Sequence, residues 1–220
     1  SKKNSDDHAT TIDVIEEVLR IYGYNNIVLP DVLKSSLSYR TKPEKEKVTN
    51  IISDLLVSNG FNEMLSNSLT KADYYKETAD SLVRIKNPLS RDLDVLRQSM
   101  LYDGLETIVY NQNRRNSDVK LFEWGKTYFK TETKFKEHSH LSLFISGSST
   151  NENWDTANAG NVNFYQLKGV VNTIMEKFGM NKFNVRTEES ELACLDYGLK
   201  YKVNNIDLVE FGKIDADTQK

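Results

Sequence analysis

Two runs of alternating apolar and polar residues near the C-terminal end constrain the fold more than any other feature of this sequence. The runs cover residues 199–203 and 206–208, and the dipeptide Asn204-Asn205 separates them. Alternation with a period of two is typical of a strand with one buried face. Asparagine tolerates positive φ, so two asparagines suit the two-residue turn of a β-hairpin. The pattern therefore predicts antiparallel strands at this end of the chain.

Helical spacing of apolar residues is clearest over residues 48–56. Thr41 and Glu44 predict a capping box before this stripe, with Pro43 in the first turn, and Asn59-Gly60 predicts its end. The same reasoning predicts further helices over residues 11–24, 71–78, 101–115 and 164–178, and strands over residues 61–69, 82–86, 119–129 and 140–147. Since strands outnumber helices and hairpins are expected, the predicted fold class is α+β, an antiparallel β-sheet flanked by helices.

The composition narrows the class of protein. The 220 residues include one cysteine and three histidines, which excludes a disulfide scaffold and a zinc cage made only of protein ligands. Cys194 lies in an apolar run and is predicted to be a buried, unreactive thiol. That run, residues 192–195, is too short for a membrane span or a secretory signal. The net charge of −3 means that any contact with RNA has to be local.

Three carboxylates are grouped in the first predicted helix. Asp13, Glu16 and Glu17 stand at positions i, i+3 and i+4, and this spacing brings them close together on a helix. Hard oxygen donors in a cluster suit Mg²⁺, which would keep several of its waters. Acidic residues in a first turn also complement the helix dipole. The spacing alone leaves both interpretations open.

The other polar motifs define no catalytic site. His138 and His140 are too few for a metal site, and we expect a surface role for them. Arg114-Arg115 either contact phosphate or act as partners of a helix dipole. The 11 tyrosines and 9 phenylalanines either form a platform for nucleobases or pack in the core and at interfaces. The sequence contains no G-x-S-x-G, Walker A or dinucleotide fingerprint.

Several ordered segments together resemble the family of β subunits of bacterial phenylalanine–tRNA ligases. The segments, spread over about 200 residues, are Asp13-Val14-Ile15-Glu16-Glu17 with Gly23-Tyr24, Asn87-Pro88-Leu89-Ser90, Leu96-Arg97-Gln98-Ser99, Asn111 to Arg115, Leu121-Phe122-Glu123-Trp124-Gly125, and Phe164-Tyr165-Gln166-Leu167-Lys168-Gly169. Each segment alone is weak evidence, whereas the ordered set is specific.

The resemblance implies a domain organisation and partners. Residues 1–38 would be the closing helix of a metal-binding module plus a connector, and residues 39–220 a core domain similar to class II aminoacyl-tRNA synthetases but catalytically silent. The full subunit would also carry editing and RNA-binding domains, so the chain is expected to be a fragment. In the family, two α and two β subunits form a cytoplasmic heterotetramer, in which the α subunit uses ATP and Mg²⁺ to activate phenylalanine and charge its tRNA.

The resemblance also assigns roles to residues. It implies a Mg²⁺ site at Asp13, Glu16 and Glu17, with Asp7 at the spacing of a further ligand although its surroundings depart from the family pattern. It implies no catalytic or cofactor-binding residue in this chain. Active class II cores carry an aromatic-Arg-x-Glu strand whose arginine binds the ATP α-phosphate; if Glu123 is aligned with that glutamate, Leu121 occupies the arginine position, and leucine donates no hydrogen bond to phosphate.

We expect Arg97, Glu123 and Trp124 to order the central sheet without a catalytic role. The exposed apolar faces of the helices at residues 48–56 and 101–109 are candidates for contact with the α subunit, and the isolated fragment is expected to self-associate through such surfaces. One alternative is a synthetase-like regulatory domain of a biosynthetic enzyme complex. Another is an independent catalytic enzyme, which the leucine at position 121 argues against.

Overall fold

The structure, a computed structural model, describes residues 11–27, 44–149, 160–180, 185–216 and 218. The chain divides into two units, Ser1–Pro43 and Glu44–Lys220. In the first unit, helix α1 (Thr11–Tyr22) ends at Gly23, where φ is 89°, and a short 3-10 turn follows at Tyr24–Asn26. The helix predicted over residues 11–24 is therefore confirmed to Tyr22.

The second unit contains three helices and three small sheets within the described residues. Its elements in chain order are α2 (Lys45–Ser58), β1 (Asn62–Glu63), β2 (Leu69–Thr70), β3 (Val95–Leu96), α3 (Leu101–Gln112), β4 (Val119–Lys130), β5 (Phe135–Ser146), α4 (Phe164–Lys177), β6 (Arg186–Glu189), β7 (Leu195–Val203) and β8 (Ile206–Ile214), with 3-10 segments at Ala72–Ser81 and Arg91–Leu93.

The long β4–β5 hairpin is the centre of the unit. Its antiparallel register runs from Val119 opposite Ser146 to Lys130 opposite Phe135, and β1 extends this sheet by pairing parallel to β4. A two-stranded sheet (β2, β3) and an antiparallel meander (β6, β7, β8) complete the strands. A single antiparallel sheet was predicted, whereas the described residues form three sheets, with one parallel pairing between β1 and β4.

Alternation along β4 directs side chains to two different helices. Phe122 is fully buried on one face with Ile52 and Leu56 of α2 and with Phe61. The opposite face of the hairpin carries Val119, Leu121 and Phe144, against which Leu101 and Ile108 of α3 pack. The sheet thus lies between α2 and α3. Each helix turns part of its predicted apolar stripe to the sheet, whereas Ile51 of α2 and Val109 of α3 are 40% and 46% exposed.

A second core joins α4 to the meander. Val171 and Met175 of α4 pack with Tyr201 and Phe211 of the meander. Asn163 begins α4 with a capping box that it forms with Gln166. The predicted hairpin turn is also confirmed, since Asn204 and Asn205 have φ values of 50° and 64°, as a two-residue turn between right-twisted strands requires.

Three predictions of local structure are wrong. The strand over residues 61–69 is interrupted after Glu63, because the Ser66 N–H and hydroxyl both donate hydrogen bonds to the Glu123 carboxylate. The strand over residues 82–86 is reduced to a single bridge between Arg84 and Val95. Helix α2 begins after Glu44, which forms no side-chain cap; Thr41 and Pro43 lie outside the described residues.

No helix among the described residues is long and apolar enough to cross a membrane.

Candidate functional site

The candidate site is a group of buried charges on the α3 side of the sheet. Glu123 lies on β4 among the residues that alternate toward α3. Arg97 follows β3, and its backbone is held by Ser68 and Tyr128, since its N–H donates to the Ser68 carbonyl and its carbonyl accepts from the Tyr128 N–H. Asp103 lies in the first turn of α3. Three separate segments therefore meet at one point.

Arg97 is the centre of this ion cluster, which we define as Arg97, Asp103, Glu123 and Ser66. The guanidinium Nη2 donates to Glu123 Oε1 at 3.1 Å, and Nη1 donates to Asp103 Oδ2 at 3.0 Å and to Ser66 Oγ at 2.6 Å. Its Nε donates to the carbonyl of Lys126 at 3.0 Å. Arg97 and Glu123 are only 2% and 1% exposed, and Asp103 is 9% exposed.

Burial and pairing act in opposite directions on these groups. Burial alone would lower the pKa of Arg97, but its hydrogen bonds to Asp103 and Glu123 outweigh that effect and raise it. For Asp103 burial dominates and raises the pKa above its ordinary value, although the adjacent Arg97 favours the charged form. Among the described residues, no buried side-chain nitrogen or oxygen lacks a hydrogen-bond partner. The cluster is thus fully engaged in internal contacts.

Close backbone and ring contacts fix the cluster in place. A Cβ atom on Gly125 would lie 2.4 Å from Nη2 of Arg97, so glycine leaves the space that the guanidinium occupies on β4. Tyr75 is held against the segment that follows Arg97, because its hydroxyl donates to the Ser99 carbonyl at 3.2 Å. Burial raises the pKa of Tyr75 to about 12, so this phenol remains a hydrogen-bond donor at neutral pH.

The environment of Leu121 differs in kind from that of the ion cluster. Leu121 is 8% exposed and belongs to the apolar group with Val119 and Phe144. Gly104 of α3 lies so close to this group that a Cβ atom there would be 2.0 Å from the Phe144 ring. Leu121 therefore packs in the core, and its side chain offers no polar group to a ligand.

A pocket of about 320 Å³ adjoins the cluster and is lined by Ser66, Asp103, Lys71, Glu106 and Tyr110, among others. Lys71 and Glu106 form an ion pair at 3.3 Å across its rim. Glu106 also accepts a hydrogen bond from the Tyr74 hydroxyl. Lys71 and Glu106, two of the charged groups that line the pocket, are therefore paired with each other.

The predicted metal ligands lie in the first unit. Glu16 and Glu17 both pair with Arg20, at 3.5 Å and 3.0 Å. Asp13 lies on the same helix, in its first turn, and Asp7 lies outside the described residues. Within the described part of the chain, no three histidine, cysteine or carboxylate side chains are grouped in a way that could hold a metal ion. The assignment of Mg²⁺ to these four residues stays a prediction.

Two further polar motifs have local roles. His140 Nε2 lies 2.9 Å from Thr127 Oγ1, and partial burial, with smaller contributions from His138 and Arg97, lowers the pKa of His140. Arg114 stacks over the ring of Tyr110, with its guanidinium carbon 3.4 Å from the ring centroid.

Cys194 is half-buried and not fully buried as predicted. Burial raises the pKa of its thiol, so the thiolate that reacts with electrophiles is disfavoured.

The sequence analysis identified part of the ion cluster. Arg97 and Glu123 were predicted to order the central sheet, and the structure brings them together. Trp124 links β4 to α2 because its indole N–H donates to Ser53 Oγ at 3.0 Å. Asp103 and Ser66 were not predicted as members of the cluster, because their neighbours in the sequence carry no signal that they face a buried arginine.

The fold of the chain is similar to that of two solved aminoacyl-tRNA synthetase structures. Two solved structures of a pyrrolysyl-tRNA synthetase from Desulfitobacterium hafniense match it with TM-scores of 0.52 and 0.55, at 13% and 10% sequence identity. They cover 77% and 75% of this chain, and the match spans 58% and 57% of the other chains.

Sequence comparison identifies the family. The family model described as the phenylalanyl tRNA synthetase beta chain CLM domain matches residues 29–220. The chain is 42% identical over 183 residues to the phenylalanine–tRNA ligase beta subunit of Bacteroides fragilis, a match to 77% of this chain and 22% of that one. It is 31% identical over 225 residues to the Porphyromonas gingivalis subunit of the same name, a match to 95% of this chain and 27% of that one. The chain belongs to the phenylalanine–tRNA ligase β subunit family and spans about a quarter of the length of these relatives.

Proposed function

We propose that the chain forms a non-catalytic core of a phenylalanine–tRNA ligase, whose role is to hold and order the α subunit. The α subunit would bind ATP and Mg²⁺, activate phenylalanine and charge its tRNA. The whole enzyme would be a cytoplasmic heterotetramer of two α and two β subunits. The membership of the family supports the assignment to the β subunit, and the geometry of the sheet supports the lack of catalysis.

The proposal rests on one observation, which is that the buried charged groups on the α3 side of the sheet bind one another. Arg97, Asp103 and Glu123 satisfy one another in the interior. Leu121 packs among apolar side chains. Charge stabilisation of a transferring phosphoryl or adenylyl group needs cationic donors that reach the substrate, and the buried arginine is already engaged by two carboxylates. This arrangement supports a structural role.

The proposal is tested by phenylalanine-dependent exchange of pyrophosphate into ATP. We expect exchange by the folded chain alone to equal the buffer background, and exchange by the α subunit with a complete β subunit to exceed it. The chain is first shown to be folded by a cooperative urea transition. Exchange by the chain alone that disappears in a Glu123→Gln variant would overturn the proposed lack of catalysis.

Two helix surfaces are proposed as the contact with the α subunit. On α2, Ile51 and Val57 are 40% and 57% exposed, whereas Ile52 and Leu56 are fully buried. On α3, Val109 and Tyr110 are 46% and 56% exposed. Large apolar side chains of this exposure suit the core of a protein–protein interface. The same surfaces would mediate self-association of the isolated chain.

The proposed Mg²⁺ site would consist of Asp7, Asp13, Glu16 and Glu17. Carboxylate oxygens are suitable donors for this cation, and the Glu16 and Glu17 side chains are more than half exposed. Binding would require these two residues to release Arg20. Titration calorimetry with MgCl₂ should detect binding that a Glu16→Gln/Glu17→Gln variant lacks; equal heats from both proteins would exclude these ligands.

A further inference from the structure

The β4–β5 hairpin continues beyond the core that α2 and α3 cover. The last apolar pair of the core is Trp124 opposite Leu141. We define residues 126–138 as the distal hairpin. From residue 132 onward every residue of this segment is exposed, and Lys126 and Lys130 on β4 are exposed as well. Within this segment Thr127 is buried and Tyr128 and Phe129 are half-buried, whereas the exposed residues of the two strands are accessible to other molecules.

The distal hairpin is basic in an otherwise acidic chain. It contains four lysines and two glutamates, whereas the whole chain has a net charge of −3. Lys126 pairs with Glu137 at 2.7 Å. Within the described part of the chain, Lys130, Lys134 and Lys136 form no ion pair. Three ammonium groups are therefore available to an anionic partner.

Aromatic rings alternate with these lysines. Phe135 is 71% exposed and lies directly opposite Lys130 in the ladder. On the other face Phe129 lies directly opposite Lys136 and contacts the His138 ring edge-on at 5.8 Å. Side chains directly opposite each other on antiparallel strands are about 5 Å apart at Cβ. Each face thus presents a ring next to a positive charge.

The turn at the tip is held by hydrogen bonds. The Thr131 N–H and hydroxyl both donate to the Lys134 carbonyl, at 2.8 Å and 2.7 Å, and the Lys134 N–H donates back to the hydroxyl at 3.2 Å. Because this turn is fixed, little ordering of its backbone is needed when a partner binds.

We propose that the distal hairpin binds an unpaired RNA strand. The lysines neutralise backbone phosphates, and a base stacks on the exposed ring of Phe135. This combination is the general mode of single-strand recognition. An acidic protein surface would contact the lysines alone, and such a contact would leave the exposed phenylalanine without a role. The choice of RNA rests on the proposed function, whereas the binding of an unpaired nucleic-acid strand rests only on the hairpin.

The test is fluorescence anisotropy with the full chain and a fluorescein-labelled, unstructured 12-nucleotide RNA in 50 mM salt. We expect saturable binding that weakens steeply between 50 and 200 mM salt, because phosphate contacts release counterions. Lys130→Glu/Lys136→Glu should weaken binding at least tenfold. The charge-matched control, Lys86→Glu/Lys177→Glu, changes exposed lysines elsewhere and should alter it less than twofold.

Phe135→Leu separates stacking from charge. Leucine keeps an apolar side chain at an exposed position but has no ring, so we expect binding about fivefold or more weaker, and Phe135→Tyr should restore it. Equal loss in both double variants, an unchanged affinity in Phe135→Leu, or equal binding of a duplex of the same RNA would overturn the proposal. Tighter binding to DNA of the same sequence would overturn the choice of RNA.

Association with the α subunit is measured separately by light scattering. If the Lys130→Glu/Lys136→Glu variant keeps its RNA affinity and loses that association, the distal hairpin is a protein interface and the inference is wrong. If RNA binding is lost in the variant while the wild-type chain fails to associate with the α subunit, the proposed function fails and the distal hairpin stands as a nucleic-acid site.

Discussion

Replacing Arg97 by methionine is the most informative perturbation of the fold. Methionine keeps an unbranched side chain of similar length but carries no charge, so the variant leaves two buried carboxylates without their cation. Glu123 is 1% exposed and Asp103 is 9% exposed, so water reaches neither group freely. Ser66 and the Lys126 carbonyl also lose the hydrogen bonds that Arg97 donates.

The magnitude follows from the burial of both partners. Removing one member of a buried ion pair costs about 3–5 kcal/mol, because the remaining charge is uncompensated in the interior. We expect Arg97→Met to lower the free energy of unfolding at pH 7 by about 4 kcal/mol. Since domains have a total stability of about 5–15 kcal/mol, this loss is a large share of it.

The destabilisation should depend on pH with a definite sign. In the Arg97→Met variant the two carboxyl groups bind protons more tightly in the folded state than in the unfolded state. The reason is that no cation balances their negative charge in the interior. A group whose pKa is higher in the folded state than in the unfolded state stabilises the folded state at a pH below its unfolded pKa. This stabilisation is lost as the pH rises through the folded pKa. The difference between wild type and variant should therefore shrink between pH 7 and about pH 4.

Urea unfolding followed by far-ultraviolet circular dichroism measures these free energies. The control is Arg84→Met, which removes an exposed ion pair with Asp94 at 3.6 Å and should cost about 0–1 kcal/mol. A second check is Arg97→Met/Glu123→Met, which removes one of the unbalanced charges and should be more stable than the single variant. If Arg97→Met costs no more than Arg84→Met, the reasoning about buried charge is refuted.

Three other predictions follow from the structure. Gly104→Ala drives a Cβ into the Phe144 ring at 2.0 Å and should destabilise the protein by about 3 kcal/mol in thermal unfolding. Gly169→Ala, whose Cβ would meet no atom within 4 Å apart from its chain neighbours and the backbone of its own helix, should stabilise α4 by about 0.5–1 kcal/mol. Equal effects of the two substitutions would contradict this packing. Burial raises the pKa of Asp103 above 3.8, so wild-type stability should fall as pH rises through the folded pKa, and Asp103→Asn should flatten that slope; an unchanged slope would exclude Asp103 as its source. Burial also raises the pKa of Cys194, so its reaction with a disulfide reagent at pH 7.5 should be slow until urea unfolds the chain, and fast labelling of the folded chain would contradict this.

Patterns within a few residues predicted the turn and the helix that depend only on neighbouring residues. The Asn204-Asn205 turn was predicted because two residues with positive φ define it. Helix α4 was predicted because its apolar stripe and the following Gly179 act within a few residues. The order of the sheets could not be predicted in this way. The pairing of β1 with Leu121 and Phe122 joins residues almost 60 positions apart, and no local pattern encodes such a contact.

The ion cluster shows the same limit at the candidate site. Arg97 and Glu123 were identified through the family motifs, but Asp103 has the sequence pattern of an ordinary acid in a first helical turn. Only the packing of α3 on the sheet buries it beside Arg97. The same packing explains why residues 64–68 do not continue a strand, since Ser66 is held by Glu123 and Arg97. A buried charge changes the local structure around it, and that effect is tertiary.

The proposed contact between this core and the α subunit is tested by the molar mass of their mixture. The chain is purified with the α subunit from the same organism and analysed by size-exclusion chromatography with multi-angle light scattering. We expect a stoichiometric complex that Val57→Asp weakens. Ile206 is exposed at the hairpin turn, so Ile206→Asp should leave the complex intact. Two separate species, each with the mass of its free form while the chain is folded, would show that this core alone does not hold the α subunit.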